Sequence, residues 1–317
     1  MRTRRQILQT LALGGLASLA APHALCAEPC GPSVAPTIRT RRPDLHSVDD
    51  AGVWLCWIGH STVLMNVFGT WILTDPVMFD HYGLNILGLS IGPRRMNEPA
   101  LPLEELPRPD LLLLSHAHMD HMDRRTLTAL SERYPGEIDV ITAARTSDVV
   151  DDLPWRSLNE MDWGDRVTTN GITLRCLQVK HNGWRWPGEA CRANGQPRTG
   201  RSYNGYYIER NGVGIVFGGD TAYTTSFKDV PGNVDVAIMP IGAYDPYPET
   251  HCTPEESLAM AEMMKARFFV PIHHSTFKQS EEPMTEPVSR LLSAMKKGSS
   301  SQLALHSVGE TIGFDLG

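Results

Sequence analysis

Four potential metal ligands lie within the six-residue segment His116-Ala117-His118-Met119-Asp120-His121. Through Ser115, the segment follows Leu111 to Leu114, an apolar run typical of a strand buried on both faces. Where such a strand ends the chain turns, and several side chains can converge on one point. Imidazole nitrogens and carboxylate oxygens are the ligands that divalent transition metals prefer. The spacing predicts two adjacent ions, with His116 and His118 on one and Asp120 and His121 on the other. The alternative is a surface histidine cluster without metal, but this pattern at a strand end has few other physical uses.

Further ligands are predicted at His181, Asp220 and His273, each of which follows a predicted strand. Taken alone, a single His or Asp after a strand is usually structural. Their shared position at strand ends predicts that they meet at one edge of the fold. Asp220 comes after Gly218-Gly219, and the glycines would allow the close approach that a carboxylate bridging two ions requires.

Short apolar runs separated by turn residues predict the elements that position these ligands. Asp123 to Tyr134 and Pro254 to Lys265 are predicted helices, the second with a capping pattern at Thr253. Tyr82 to Pro107 is predicted to be a long functional loop. The order is strands, helix and strand, twice over, which predicts two packed sheets with helices outside, in one domain. The predicted strands are Val53 to Ile58, Val63 to Phe68, Trp71 to Thr74, Leu111 to Leu114, Ile138 to Thr142, Ile172 to Val179, Tyr203 to Glu209, Val213 to Phe217, Val234 to Met239, Phe268 to Ile272 and Leu303 to His306.

With its ligand pattern, this chain resembles the metallo-β-lactamase superfamily. Segments beside the ligands are similar to the N-acylphosphatidylethanolamine phospholipase D-like branch, to which ascorbate-phosphate lactonases are related. These segments are Trp57-Ile58-Gly59-His60-Ser61-Thr62-Val63-Leu64, Ile72-Leu73-Thr74-Asp75-Pro76-Val77, Gly92-Pro93-Arg94-Arg95, Phe217-Gly218-Gly219-Asp220-Thr221-Ala222-Tyr223 and Ile272-His273-His274-Ser275-Thr276-Phe277.

The resemblance implies an α/β fold of the four-layer αββα type and a cofactor of two Zn2+ ions per chain. It implies that His116, His118 and His181 hold one ion, that Asp120, His121 and His273 hold the other, and that Asp220 bridges them. The residue after His273 is aromatic in the phospholipases, whereas this chain has His274.

Such a site suggests a hydrolase in which a hydroxide bridging the metals attacks phosphorus or a carbonyl carbon. Asp120 is the candidate for carrying a proton to the leaving group, and the resemblance places His251 near the substrate phosphate. Tyr223 belongs to one of the family-like segments. His60 would line the site or satisfy a loop carbonyl. Asp75 would accept the free N–H of a ligand histidine or simply begin a turn before proline.

The segment from Trp184 to Arg201 begins three residues after His181 and carries four arginines, Arg185, Arg192, Arg198 and Arg201. Because guanidinium groups match phosphate geometry, this segment is a candidate grip for an anionic substrate. The alternative is a solvated loop.

The first 27 residues are predicted to be an export signal, followed by a hydrolase domain at 28–317. Arg4 and Arg5 precede an apolar stretch too short to span a bilayer. The start resembles a twin-arginine signal, so the partners would include that export machinery and the location would be periplasmic or secreted.

Composition adds one exclusion. The 317 residues carry a net charge of −7, which argues against general nucleic-acid binding.

The leading hypothesis is a phospholipase D-like hydrolase of a phosphodiester, either a small molecule or a lipid, with possible peripheral contact to a membrane. A lactonase or carboxyl-ester hydrolase on the same site is the alternative. A non-catalytic, metal-dependent binding protein is the alternative of another class.

Overall fold

The computed structural model describes residues 40–86, 89–190, 192 and 200–314. The predicted export signal at 1–27 lies outside them, as does Arg198. Contacts group Ile38–Gly317 into one unit. None of the helices in the described ranges has the length and apolar character needed to cross a membrane.

Two seven-stranded mixed sheets account for most strands of the described residues. The strands of the first sheet are β1 Val53–Gly59, β2 Thr62–Val67, β3 Thr70–Thr74, β6 Leu111–Leu114, β7 Asp139–Ala143, β8 Ser157–Met161 and β16 Thr311–Phe314. They pair in the order β16-β1-β2-β3-β6-β7-β8. The pairs from β16 to β3 are antiparallel, and those from β3 to β8 are parallel.

The second sheet also contains both antiparallel and parallel strand pairs. Its strands are β9 Arg166–Thr169, β10 Ile172–Gln178, β11 Asn204–Arg210, β12 Val213–Phe217, β13 Val236–Pro240, β14 Phe268–Ile272 and β15 Gln302–Leu303. They pair in the order β15-β14-β13-β12-β11-β10-β9. The pairs from β9 to β12 are antiparallel and those from β12 to β15 are parallel. Outside the sheets, β4 Leu84–Ile86 and β5 Leu89–Ile91 form a small hairpin.

Alternation along the strands builds the layers, because successive side chains of a strand point to opposite faces. On β13, Ile238 joins a core cluster that includes residues of both sheets. Ala237 and Met239 join a second cluster together with Leu258. Leu258 lies on α2, Pro254–Met263, which also contacts α3, Glu286–Met295. The predicted αββα architecture is confirmed.

Capping residues define the helix starts. Asp123 accepts a hydrogen bond of 3.0 Å from the backbone N–H of Thr126 and so caps α1, Arg124–Arg133. Thr253 and Glu256 form the predicted capping box of α2, in which each side chain satisfies a backbone N–H of the other residue.

Several predictions of elements are corrected by the structure. The strands β8 and β9 are not predicted because they are polar and partly exposed. Helix α3 is also missed, since Pro287 resembles a breaker although it lies in the first turn, where proline is tolerated. Leu303 to His306 does not close the fold: β15 ends at Leu303, and β16 returns the chain to the first sheet. The predicted loop at Tyr82 to Pro107 contains the β4–β5 hairpin.

A polar cluster at Asp139 ties the two sheets together at one end. Its carboxylate accepts hydrogen bonds from the guanidinium of Arg156, from Ser157 Oγ at 2.7 Å and from Asn170 Nδ2 at 3.0 Å. Asn170 lies in the β9–β10 turn of the second sheet, and its carbonyl accepts from Thr70 Oγ1 of the first sheet at 3.0 Å. The Arg156 guanidinium lowers the pKa of Asp139 from 3.8 to about 2.

Asp139→Asn is therefore expected to lower the free energy of unfolding by about 1.5 to 3 kcal/mol at neutral pH, the scale of hydrogen bonds to a charged group. The pKa of Asp139 is depressed in the folded state, so its contribution is complete above about pH 4 and is lost as pH falls through about 2. Urea unfolding at stepped pH values measures this. The difference between wild type and variant should shrink with acidification, and exposed Asp151→Asn is the matched control. A difference that does not depend on pH would contradict the assignment.

Candidate metal centre

All seven predicted ligands come together at one edge of the sandwich. The segment His116 to His121 follows β6 of the first sheet, whereas His181, Asp220 and His273 follow β10, β12 and β14 of the second. His, Asp and Glu side chains whose ligand atoms lie within 4.8 Å of one another form overlapping groups here, and these groups include all seven.

His116, His118 and His181 form what we call the first cluster. His118 Nδ1 lies 2.8 Å from His116 Nε2 and 3.3 Å from His181 Nε2. Burial lowers the pKa of all three imidazoles, in the case of His118 to about 4. Neutral imidazoles that face each other nitrogen to nitrogen are suited to a shared cation, since the neutral ring is the form that binds metal.

Asp120, His121 and His273 form the second cluster. Asp120 Oδ2 lies 3.5 Å from Nε2 of both His121 and His273. Asp220 stands between the clusters: its Oδ2 lies 3.1 Å from Nε2 of His121, 3.1 Å from Nε2 of His273 and 3.8 Å from Nε2 of His181. This is the position required of a carboxylate shared by two ions.

The donor set fits divalent metal ions by an independent criterion. His121 Nε2, His273 Nε2 and Asp220 Oδ1 are buried, yet none makes a properly directed hydrogen bond to any described residue. Buried polar atoms normally have hydrogen-bond partners. Orphaned nitrogens and oxygens that converge on a common region therefore indicate that they are directed at a ligand.

The pKa shifts of the clustered side chains also indicate that this site favours positive charge. Burial alone would raise the pKa of Asp120 and Asp220, but the neighbouring His121 and His273 hold both well below their usual value. Burial would likewise lower the pKa of His121, but Asp220 and Asp120 raise it well above its usual value. The same two carboxylates raise the pKa of His273 to about 9.

Asp75 holds the ligand segment in place. Its Oδ2 accepts from His121 Nδ1 at 2.7 Å and from Ser115 Oγ at 2.6 Å, and its Oδ1 accepts from Ser115 N at 2.7 Å. Of the two predicted roles, the structure therefore places the carboxylate on a ligand histidine. Similarly, Nδ1 of His181 lies 2.8 Å from the carbonyl of Thr250. Such partners fix the ring orientation and leave the other nitrogen free for metal.

Strained backbone supports the same residues. His60, Asp75 and His273 have φ of +53°, +33° and +59°, a region that non-glycine residues rarely adopt. Strain of this kind is characteristic of functional sites. Gly219, with φ of +57°, has no room for a side chain, because a Cβ there would lie 2.7 Å from Ser115 Cβ. The expected close approach beside Asp220 is therefore present.

His251 faces the shared carboxylate. Its Nε2 lies 3.3 Å from Asp220 Oδ2, and its Nδ1 lies 3.0 Å from Thr250 Oγ1. His60 Nε2 lies 3.1 Å from Asp120 Oδ2, so this imidazole contacts the second cluster rather than only a loop carbonyl. Tyr223 is 41% exposed, and no hydrogen bond within the described ranges joins it to either cluster.

His273 and His274 point in different directions. The His273 ring reaches Asp220, whereas the His274 ring packs on Trp57 with centroids 4.4 Å apart. Nδ1 of His274 also lies 2.9 Å from Ser275 Oγ. His273, and not His274, therefore faces the candidate metal centre.

The arginine segment requires a correction. Arg185 Nη1 donates to the carbonyls of Ala117 at 2.8 Å and Met122 at 3.0 Å, so it braces the loop that carries the ligands instead of reaching for a substrate. Arg201 pairs with Asp148 and Glu189, and Arg192 pairs with Asp162. Because these guanidinium groups are already engaged by acids and carbonyls, the described part of the segment is not a ready anion grip.

Sequence reasoning missed several contacts of the site. Asn182 Oδ1 lies 2.9 Å from His118 Nε2, and its position directly after His181 is the signal that could have indicated it. Gln279 Nε2 donates to Asp120 Oδ2 at 2.6 Å, but nothing in the spacing of Gln279 indicates this. Two exposed aromatic rings also flank the clusters. Trp184 lies 5.1 Å from the His118 ring, and Tyr247 lies 6.3 Å from the His251 ring.

Other proteins are similar in sequence to this chain over most of its length. An uncharacterized protein of Mycobacterium tuberculosis is 30% identical over 273 residues, which cover 80% of this chain and 66% of that protein. The chain thus spans just under two thirds of the length of that relative. N-acyl-phosphatidylethanolamine-hydrolyzing phospholipase D 1 of Caenorhabditis elegans is 28% identical, with 83% of this chain and 75% of that protein covered.

Solved structures support the fold. The metallo hydrolase Igni18 of Ignicoccus hospitalis superimposes with a TM-score of 0.60 at 17% identity, covering 84% of this chain and 99% of that one. An isothiocyanate hydrolase from Delia radicum gut bacteria gives a TM-score of 0.61 at 16% identity, covering 82% and 98%. The family model described as the beta-lactamase superfamily domain matches residues 70–274. The chain belongs to the metallo-β-lactamase superfamily.

Proposed function

We propose that this protein is a binuclear zinc hydrolase that cleaves a phosphodiester in the manner of a phospholipase D, with an N-acylphosphatidylethanolamine-type lipid as the leading substrate. The observation that carries the proposal is the pair of donor clusters that share Asp220. The name of the Caenorhabditis elegans relative supports the choice of substrate.

His116, His118 and His181 would hold one zinc ion, and Asp120, His121 and His273 would hold the second, with Asp220 shared. When bound, the two ions would supply Lewis acidity, which activates water at neutral pH and neutralises charge that develops on the substrate oxygens. The hydrogen bonds from Asp75 and Thr250 keep the ligand rings oriented for this task.

Asp120 and His251 are the chain's own groups for moving protons and holding substrate. Asp120 lies at the edge of the second cluster, where its carboxylate can orient the attacking water and pass a proton to the leaving alkoxide. His251 lies on the opposite side of Asp220, where its imidazole can donate to a phosphoryl oxygen.

The surroundings favour an apolar group on the substrate. Trp184 and Tyr247 are 41% and 49% exposed beside the clusters, whereas Arg185 and Arg201 are occupied by partners within the chain. Exposed aromatic rings at a site mouth bind acyl chains or rings through apolar contact. A lipid presented at a membrane surface suits this arrangement. From the sequence we also propose that the chain is exported by the twin-arginine route and acts in the periplasm or outside the cell.

Removal of metal tests the cofactor. Purified protein should contain about two zinc ions per chain by elemental analysis, as two-metal sites do. Dialysis against a chelator should abolish hydrolysis of a chromogenic phosphodiester, and zinc should restore it. Folded protein that hydrolyses the substrate equally well before and after complete removal of metal would contradict the proposal.

Asp120→Asn should lower kcat for the phosphodiester by at least about 100-fold, the scale of lost acid–base catalysis, because the amide cannot accept and pass on a proton. Exposed Asp229→Asn is the matched control. In parallel, the wild-type protein is assayed on a phospholipid, a lactone and a β-lactam to compare substrate classes. Near-normal turnover by the metal-loaded variant would eliminate the proposed role, and cleavage of the lactone alone would reverse the choice of substrate.

Trp184→Ala should raise KM for a long-chain phospholipid by about 10-fold, since burial of an aromatic ring contributes a kcal/mol or more. KM for a small water-soluble phosphodiester should stay within about 2-fold. Trp186→Ala is the matched control, because Trp186 is similarly exposed at 44% but makes no ring contact with a ligand histidine. Equal effects of Trp184→Ala on both substrates would argue against an apolar subsite.

A further inference from the structure

Gln279 connects the second cluster to a tyrosine outside it. It lies in the segment after β14, six positions beyond His273, and is half-buried. One amide nitrogen, Nε2, lies 2.6 Å from Asp120 Oδ2 and 3.0 Å from Tyr82 Oη. The two hydrogens of this nitrogen are enough for both contacts.

The orientation of the amide follows from its partner. An ionised carboxylate only accepts hydrogen bonds, so the nitrogen of Gln279, and not its oxygen, must face Asp120. The bond is therefore directional and charge-assisted, and such bonds are about twice as strong as those between neutral groups. A side chain of the same size without a donor would leave Asp120 without this contact.

The support behind Gln279 is rigid. The Tyr82 ring packs edge-on against Phe277 with centroids 5.0 Å apart, and the Phe277 backbone bridges to Arg95. Arg95 is buried, donates to the carbonyl of Val77 at 2.7 Å and lies 5.4 Å over the Phe277 ring. Gln279 therefore approaches Asp120 from a fixed frame.

Asp120 also meets His60 Nε2 at 3.1 Å, on the same oxygen that Gln279 contacts. These two donors lie outside the predicted ligand set and hold one carboxylate oxygen between them. We propose that Gln279, anchored by the Tyr82 hydroxyl, is a positioning residue that fixes the orientation of the Asp120 carboxylate toward the second metal and the reacting water. This inference rests on the proposed function of the site.

The principal test is Gln279→Met, which keeps the length of the side chain and removes the donor. The protein is loaded with cobalt(II), whose visible absorption reports ligand geometry, and is assayed on a small chromogenic phosphodiester. We expect kcat to fall by about 10- to 100-fold, the effect typical of losing a partner of a metal ligand. KM should change little, and the cobalt spectrum should shift. Tyr82→Phe keeps the ring on Phe277 and should cause a smaller change of the same sign.

Gln302→Met is the matched control, because Gln302 is exposed on β15 and far along the chain from the ligands. A wild-type cobalt spectrum together with wild-type kcat in Gln279→Met overturns the inference and leaves the proposed function standing. If Gln279→Met does not fold, the cobalt spectrum and kcat of Tyr82→Phe are measured instead. Wild-type values of both in Tyr82→Phe would then overturn the inference about Gln279. A wild-type protein that binds no cobalt and hydrolyses nothing overturns both proposals.

Discussion

The contact between buried carboxylates and imidazoles is the constraint on which the rest of the site depends. Asp120 and Asp220 lie inside the protein among His121 and His273, and burial of such charges is costly unless opposite charge is close. Asp75 extends the arrangement by one layer, since it holds His121 by the nitrogen that does not face the cluster. Packing, strained turns and the glycine at position 219 all serve to bring these groups to one point.

Much of this could be predicted from the sequence, because the relevant signals are local. The spacing from His116 to His121, and the apolar strands before His181, Asp220 and His273, place all seven residues at strand ends without any tertiary information. The capping residues of α1 and α2 are equally local. Polar β8 and β9 were not predictable in the same way, because their pairing with neighbours, and not their composition, makes them strands.

The contacts that sequence reasoning missed or misassigned share one cause. Arg185 binds backbone carbonyls, which every residue possesses and which leave no mark in the sequence. Gln279 meets Asp120 only because the chain after β14 folds back over the site. Charge alone favours a phosphate grip at the arginine segment, but two of the acids that neutralise it, Asp148 and Asp162, lie far away in the sequence. Partners of this kind become visible only when the topology is known.

Each donor cluster draws on both sheets, since His116 and His118 come from the first and His181 from the second, while His121 comes from the first and His273 from the second. An ion in either cluster is thus a cross-link between the two halves of the sandwich, and its binding free energy is also cohesion of the fold. The second cluster is incomplete until β14 has joined its sheet. A metal bound to the full ligand set would therefore stabilise the native arrangement relative to any state in which the two sheets are apart.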